Sequence, residues 1–203
     1  MPATVGAGDR GASRLRPEVV VIGLGPGPVE LLTERARRLW EGFPPEARFV
    51  RTGRHPAVAA LGRHRSFDEV YEQAATLEGV YPAIVERLAA EAAAQGCVAY
   101  AVPGSPLVAE RTVELLRGEG RVQVRVEPAL SFLDLAWACL GVDPLAAGVR
   151  LVDGQRFSAE AAGATGPLLV GQCDSVDVLS AIKLSVDDPP TEPVVVLLSL
   201  IHI

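Results

Sequence analysis

A strand that leads into a glycine-rich turn constrains the fold of this chain more than any other stretch of its sequence. The apolar run Val19–Ile22 is bounded by glycine and proline and predicts a buried strand. Gly23–Pro28 follows it, and Val29–Trp40 places apolar side chains at helical spacing. A turn of this kind between a buried strand and a helix is where α/β proteins bind small ligands, because glycine permits positive φ and lets a ligand approach the backbone closely.

The turn differs from the two commonest nucleotide-binding loops. Pro28 stands where the dinucleotide-binding pattern G-x-G-x-x-G has its third glycine, and the next predicted strand, Arg48–Arg51, ends in a base instead of the acid that binds a ribose hydroxyl. The phosphate-binding pattern G-x-x-x-x-G-K-[ST] is excluded, since the only lysine, Lys183, is not part of one. Two alternatives stay open from the residues alone: a tight turn that binds no ligand, and a nicotinamide or flavin site.

The order of strand, turn and helix occurs a second time in the middle of the chain. The amphipathic helix Val80–Gln95 ends at Gly96, and Cys97–Val102 then predicts a second apolar strand. This strand leads into the turn Pro103–Pro106 and a predicted helix over Leu107–Arg117. Strands that alternate with helices predict a parallel sheet with right-handed crossovers. Both turns would then lie at the carboxyl edge of one sheet, where open α/β sheets bind ligands.

Three segments are predicted along the chain. Residues 1–17 contain no apolar core segment and predict a disordered extension, residues 18–120 predict an N-terminal α/β domain with the glycine-rich loops, and residues 121–203 predict a C-terminal α/β domain. The boundary is expected near Gly118–Val126, after which glycine and proline become more frequent. The elements predicted beyond it are strands at Val122–Val126, Val149–Val152, Leu168–Val170 and Val194–Leu198 and helices at Leu130–Leu140 and Ser175–Leu184.

Composition argues against several classes of function. A formal net charge of −6 argues against nucleic acid as the main partner, because phosphate binding needs a basic surface. No apolar run approaches the ~18 residues that a membrane helix needs, and the first residues do not resemble a secretory signal, so we expect a cytoplasmic protein without a membrane partner. Cys97, Cys139 and Cys173 lie far apart in apolar surroundings and predict buried thiols. No metal site is expected.

An ordered set of motifs resembles one protein family over residues 18–198. Gly23–Thr33 resembles the first signature of the tetrapyrrole (corrin/porphyrin) methylases, and Val102–Val108 resembles their second loop. Each glycine motif is weak by itself, whereas the ordered set is specific. The stretches that are similar, more narrowly, to the N-terminal methylase-like domain of MazG-type two-part proteins are Arg51–Val58, Ser66–Tyr71, Tyr100–Gly104, Val108–Val113 and Ser131–Asp134.

The resemblance implies a fold, a cofactor and an activity. It implies two α/β subdomains of the tetrapyrrole methylase type, the first with a mostly parallel sheet and the second truncated, and S-adenosylmethionine bound between them. The implied enzyme transfers the cofactor's methyl group to a small-molecule acceptor that the sequence does not name, and no catalytic residue is assigned. The cofactor-binding residues carried over by position are Gly25, Pro26, Gly27, Pro103, Gly104, Ser105, Val108, Ser131, Phe132, Gly171 and Gln172.

Two positions depart from the family pattern and support a second hypothesis. The family often has an acid after Gly-Pro-Gly, where this chain has Pro28, and its second loop is commonly Gly-Asp-Pro, where this chain has Ser105. A missing carboxylate removes a charge-assisted hydrogen-bond acceptor for the cofactor. The alternative is a non-catalytic module that binds S-adenosylmethionine or a nucleotide and regulates an attached MazG-type nucleoside triphosphate pyrophosphohydrolase beyond residue 203. A homodimer is a further expectation from the resemblance.

Overall fold

The computed structural model describes residues 16–74, 76–186 and 194–197. The chain is made of two compact units, of which the first extends to Phe132 and the second begins at Leu133. Residues 1–15 of the predicted N-terminal extension and Leu198 of the last predicted strand lie outside the described residues.

The first unit contains a sheet of five strands, and all its strand pairs are parallel. The strands are β1 (Glu18–Gly23), β2 (Arg48–Val50), β3 (Arg65–Ser66), β4 (Cys97–Val102) and β5 (Gln123–Glu127). Their order across the sheet is β3-β2-β4-β1-β5. The two strands that end in glycine-rich turns are therefore direct neighbours. The predicted parallel α/β sheet is confirmed.

Helices pack on both faces of this sheet. They are α1 (Glu34–Glu41), α2 (Asp68–Gln73), α3 (Leu77–Gln95) and α4 (Arg111–Gly118), with 3-10 helices at Val29–Leu31, Pro45–Ala47 and Pro56–Ala60. Successive side chains of β1 point to opposite faces. Val19 and Val21 belong to the core formed with α3 and α4. Val20 and Ile22 belong to the other core, with Trp40 of α1. Burial on both faces explains why β1 is apolar throughout.

Two helices begin four or five residues later than the sequence predicts. The helix predicted from Val29 starts as a 3-10 turn, and α1 begins after Thr33, whose side chain accepts a hydrogen bond from the N–H of Ala36 at 3.1 Å. The helix predicted from Leu107 begins four residues later, after Glu110, which caps α4. A capping side chain satisfies the free N–H groups of a first turn. Capping, and not the spacing of apolar residues, therefore sets both starts.

The second unit contains a pair of parallel strands and short helices. Its elements are α5 (Phe132–Leu140, whose first residue closes the first unit), β6 (Arg150–Asp153), a 3-10 turn (Gly154–Arg156), α6 (Phe157–Glu160), β7 (Leu168–Gly171) and α7 (Val176–Leu184). β6 and β7 pair in parallel. Ser175 caps α7 by accepting from the N–H of Val178 at 3.2 Å. The strand predicted at Val194–Leu198 is wrong in its described part, because Val194–Leu197 is exposed and has no strand conformation. Strand propensity depends on the packing of side chains on their neighbours, and exposed side chains lack that packing.

The first unit extends beyond the boundary predicted near Gly118–Val126. The strand expected to open the C-terminal domain is β5, and it pairs with β1 over Glu18–Ile22. The division between the two compact units falls after Phe132. Composition does not reveal this arrangement, because strand pairing depends on which backbone edge is free, and the edge of β1 that faces away from β4 is the one that β5 joins.

The described residues carry neither a helix that is long and apolar enough to cross a membrane nor a group of three or more His, Cys, Asp or Glu that could hold a metal ion. The three cysteines are free thiols, but their burial differs from the prediction. Cys97 and Cys173 are half-buried, and Cys139 is exposed. Cys139 lies on α5, which buries only Ala136.

Candidate functional site

Two loops at the carboxyl edge of the sheet form the candidate site. Loop 1 (Leu24–Pro28) follows β1, and loop 2 (Pro103–Glu110) follows β4. The N–H of Gly104 donates to the carbonyl of Gly25 at 2.8 Å, and the N–H of Gly25 donates to the carbonyl of Gly104 at 3.3 Å. This pair of hydrogen bonds forms a one-residue antiparallel bridge. The structure therefore brings together the two turns that the sequence singled out.

The glycines before and within loop 1 are required by packing. A Cβ on Gly23 would lie 2.4 Å from Cβ of Ala129 and 2.5 Å from the carbonyl oxygen of Gly104. Gly25 has a φ of 76°, and its Cβ would lie 2.6 Å from the carbonyl oxygen of Leu31. These two positions need glycine whether or not a ligand binds. The close approach of Ala129 also places the segment after β5 beside the start of loop 1.

Loop 1 is closed against its own 3-10 turn. Pro26 and Gly27 are buried, and a Cβ on Gly27 would lie 3.0 Å from Cδ1 of Leu31. The carbonyl of Pro28 accepts a hydrogen bond from the N–H of Leu31 at 3.0 Å. Backbone groups of Leu24, Gly25 and Pro28 are thus engaged in hydrogen bonds within the protein.

Loop 2 is open at Gly104. This residue has a φ of 64°, and a Cβ added to it would meet no atom of the described residues within 4 Å. Pro103 and Ser105 beside it are half-buried, and the carbonyl of Ser105 accepts from the N–H of the half-buried Val108 at 3.1 Å. A ligand can approach the backbone closely where glycine faces open space. Accessible backbone beside a hydroxyl group fits a small polar ligand such as the expected cofactor.

The remaining predicted site residues lie outside the two loops. Ser131 is buried and Phe132 is half-buried. Both follow Ala129 closely in sequence, and Ala129 lies beside the start of loop 1. Gly171 ends β7 of the second unit and is half-buried, whereas Gln172 is exposed. Gln172 has a φ of 57°, which is uncommon for a residue other than glycine. Nine of the predicted residues thus belong to the first unit, and the other two belong to the second unit.

A buried histidine joins a third loop to the bridge. His55, which follows β2, donates from Nε2 to the carbonyl of Gly25 at 3.1 Å and accepts at Nδ1 from the N–H of Ala57 at 3.2 Å. Burial lowers the pKa of His55 below its ordinary value of 6.5, against the opposing effect of the Gly25 hydrogen bond, and favours the neutral ring. The residue was not predicted to be a site residue. Its sequence signal was its place in the motif stretch Arg51–Val58.

An ion pair lies at the far end of loop 2. Arg51 donates from Nη1 to Oε2 of Glu110 at 2.5 Å and from Nε to the hydroxyl of Tyr71 at 2.7 Å. The side chains of Arg51 and Glu110 are 13% and 2% exposed. Burial acts to lower the pKa of Arg51, but Glu110 and Tyr71 raise it above its usual range, so the guanidinium stays charged. No sequence signal linked these two residues, which lie 59 positions apart.

The chemistry available in the two loops is limited to binding. Their sequences contain no histidine, cysteine or lysine. Ser105 supplies the hydroxyl, and the one carboxylate, Glu110, is engaged by Arg51. Groups of this kind hold and orient a ligand, and they do not form a nucleophile–base pair.

A match to a known family covers most of the chain. The family model described as Tetrapyrrole (Corrin/Porphyrin) Methylases matches residues 18–195. The chain belongs to this family. The paired loops are therefore the carboxyl-edge loops of a tetrapyrrole methylase, as the ordered motifs indicated.

Individual relatives of this tetrapyrrole methylase agree with the assignment of the fold. The uncharacterized protein YabN of Bacillus subtilis (strain 168) is 35% identical over 175 residues, which are 83% of this chain and 35% of that protein. The chain thus spans about a third of the length of this curated relative. A crystal structure of uroporphyrin-III C-methyltransferase from Thermus thermophilus is 24% identical, with a TM-score of 0.52 over 77% of this chain and 68% of that one. A second structure of this enzyme, complexed with S-adenyl homocysteine, is 22% identical, with a TM-score of 0.52 over 85% of this chain and 74% of that one.

Proposed function

We propose that this tetrapyrrole methylase transfers a methyl group from S-adenosylmethionine to a small-molecule acceptor. The observation that carries the proposal is Gly104, whose positive-φ backbone faces open space beside its bridge to Gly25. Gly23 and Gly25 are explained by packing, whereas no residue that the structure describes fills the space beside Gly104. Membership of the family supports the choice of cofactor, and the Thermus relative complexed with S-adenyl homocysteine is a precedent for this ligand on this fold.

The residues proposed to hold the cofactor come from the family resemblance. When bound, the cofactor supplies a methyl sulfonium group, which is a strong electrophile without further activation. The chain's own residues then bind and orient the reactants, and proximity of this kind contributes up to roughly 7–11 kcal/mol in favourable systems. We assign Pro26 to packing on the cofactor, Pro103, Gly104, Ser105 and Val108 to its methionine and ribose part, and Ser131, Phe132, Gly171 and Gln172 to its adenosine end, with Gly25 and Gly27 shaping loop 1.

Calorimetric titration with S-adenosylhomocysteine tests this proposal. The wild type should bind saturably, and Gly104→Val should abolish binding because the side chain fills the space beside loop 2. Gly120→Val is the matched control, since Gly120 also has a positive φ, of 75°, and open surroundings, but it precedes β5 at the opposite edge of the sheet. Unchanged affinity in Gly104→Val would refute the assignment of loop 2, and equal losses in both variants would attribute the effect to folding.

A second candidate is a non-catalytic module that binds the cofactor or a nucleotide and regulates an attached MazG-type pyrophosphohydrolase. Pro28 and Ser105 favour it, because the family often has carboxylates at these positions and their loss weakens charge-assisted binding. The greater length of the YabN relative leaves room for a further domain in a protein of this kind.

A methyl-transfer assay separates the two candidates. The protein is incubated with methyl-labelled S-adenosylmethionine and a small-molecule fraction of cell extract, and label in low-mass products is measured. Transfer that depends on the protein and disappears in Gly104→Val supports the enzyme. Binding of S-adenosylhomocysteine without any transfer supports the regulatory module.

The last proposals concern the cellular location, the partners and the oligomeric state of the protein. We infer a cytoplasmic location, and we infer from the net charge of −6 that nucleic acid is not a partner. We infer a homodimer from the family resemblance. Light scattering after size-exclusion chromatography measures the mass in solution, and a mass of one chain at micromolar concentration would contradict the dimer.

A further inference from the structure

We propose that the ion pair between Arg51 and Glu110 is a positioning device that holds the far end of loop 2 and thereby sets the affinity for the ligand of that loop. The ligand part of this inference rests on the function proposed above. The two residues are positioning residues, because they act through the backbone of loop 2 and not by contact with a ligand.

Loop 2 is tied down at its two ends. At its start, Gly104 forms the bridge to Gly25 of loop 1. At its end, Ala109 has a φ of 53°, a left-handed conformation that alanine rarely adopts. Such a conformation persists only where neighbouring contacts impose it. The residue that follows Ala109 is Glu110, which makes the contacts able to impose it.

Both oxygens of the Glu110 carboxylate accept hydrogen bonds. Its Oε1 accepts from the N–H of Thr112 at 3.2 Å, which caps α4, and its Oε2 binds Nη1 of Arg51 at 2.5 Å. One buried side chain therefore sets where loop 2 stops and where α4 begins. If the carboxylate moves, the backbone of Ala109 loses its support.

Arg51 is a rigid partner for this carboxylate. Its N–H donates to the carbonyl of Ala101 in β4 at 2.9 Å, and its Nε donates to the hydroxyl of Tyr71. The guanidinium carbon also lies 6.0 Å from the ring centre of Tyr71 and 5.8 Å from that of Tyr81, within the range of cation–π contacts. The pair thus ties the end of loop 2 to the sheet, α2 and α3.

Stability alone does not explain a pair of this kind. Bringing two charges out of water costs free energy, and apolar residues of similar size often give equal stability. A charged pair with fixed bonds does specify one geometry, because the carboxylate and the guanidinium are held by further directional hydrogen bonds. The burial of Arg51 and Glu110 at the end of loop 2 therefore favours a role in holding the shape of the loop.

Hydrogen exchange in the ligand-free protein tests the positioning directly. Glu110→Gln keeps an oxygen that can cap α4 but removes the charge, and the double variant Arg51→Met/Glu110→Gln leaves no unpaired buried charge. Both should exchange the amides of residues 104–110 about tenfold faster while α3 stays protected. Leu116→Ala is the control, since Leu116 is buried in α4 but belongs to the core on α3; it should lower the melting temperature and leave exchange in loop 2 unchanged.

The affinity for S-adenosylhomocysteine separates this inference from the proposed function. Both variants should raise its dissociation constant about tenfold, because a loop that is no longer held in place must be ordered when the ligand binds, and Leu116→Ala should not. Unchanged exchange in both variants, or faster exchange with unchanged affinity, would overturn the inference. If the wild type does not bind the ligand but exchange in loop 2 rises, the positioning role stands and the proposed function fails.

Discussion

Replacing His55 with leucine tests the junction of three loops at the carboxyl edge. The residue is 3% exposed, and the substitution removes both hydrogen bonds of its side chain. The buried N–H of Ala57 is left without its partner, which costs about 1–3 kcal/mol, and the lost bond to Gly25 adds about 0.5–1.5 kcal/mol. The carbonyl of Gly25 keeps the N–H of Gly104 at 2.8 Å, so it is not orphaned. We expect His55→Leu to lower the free energy of unfolding by about 1.5–4.5 kcal/mol.

Urea denaturation followed by circular dichroism at about pH 7.5, where an ordinary histidine is neutral, measures this loss. His64→Leu is the matched control. The ring of His64 is more exposed and donates from Nδ1 to the carbonyl of Gly62, two residues away, at 2.7 Å. A local bond near the surface contributes little, so the control should stay within about 0.5 kcal/mol of the wild type.

The comparison of the two histidine variants shows whether the hydrogen bonds of His55 hold the loops together. If His55→Leu loses no more free energy of unfolding than His64→Leu, the hydrogen bonds of His55 do not hold the loops and the reasoning is refuted. The dependence of unfolding free energy on urea concentration must be equal in all three proteins, because a changed slope would indicate an altered unfolded state.

Two further predictions concern the same edge of the sheet. Burial lowers the pKa of His55 below 6.5, so the stabilising effect of the neutral ring is complete above pH 6.5 and is lost as the pH falls through the lowered pKa. Between about pH 7.5 and about pH 5.5, the wild type should therefore lose more free energy of unfolding than His55→Leu. Equal losses in the two proteins would contradict this prediction. Gly23→Ala should lower the free energy of unfolding by about 3 kcal/mol through overpacking, because its Cβ would lie 2.4–2.7 Å from Ala129, Gly104 and Pro106. Gly118→Ala is the control, because its Cβ would meet no atom of the described residues within 4 Å and alanine suits the end of α4; it should be at least as stable as the wild type. Equal melting temperatures for the two variants would contradict the packing argument.

Elements with strong local signals followed from the sequence. β1 and β4 were predicted as continuous apolar runs, and such runs form strands when both faces of a sheet are covered. α3 ends at Gly96, as predicted, and α7 begins at the Ser175 cap, because these residues satisfy the free groups of a helix end by themselves. The two glycine-rich turns and their place at one sheet edge were also available, since parallel strands share their carboxyl edge.

By itself, then, the sequence determined the α/β class, the main strands, the two loops and the family, because each depends on residues close together in the chain. The tertiary structure alone decided the pairing of β5 with β1 and the contacts that join the loops. His55 and Gly25 are 30 positions apart, and Arg51 and Glu110 are 59 apart. These residues meet because the order β3-β2-β4-β1-β5 brings the ends of β1, β2 and β4 side by side. Strand order is set by backbone pairing across the whole unit, and no local pattern encodes it.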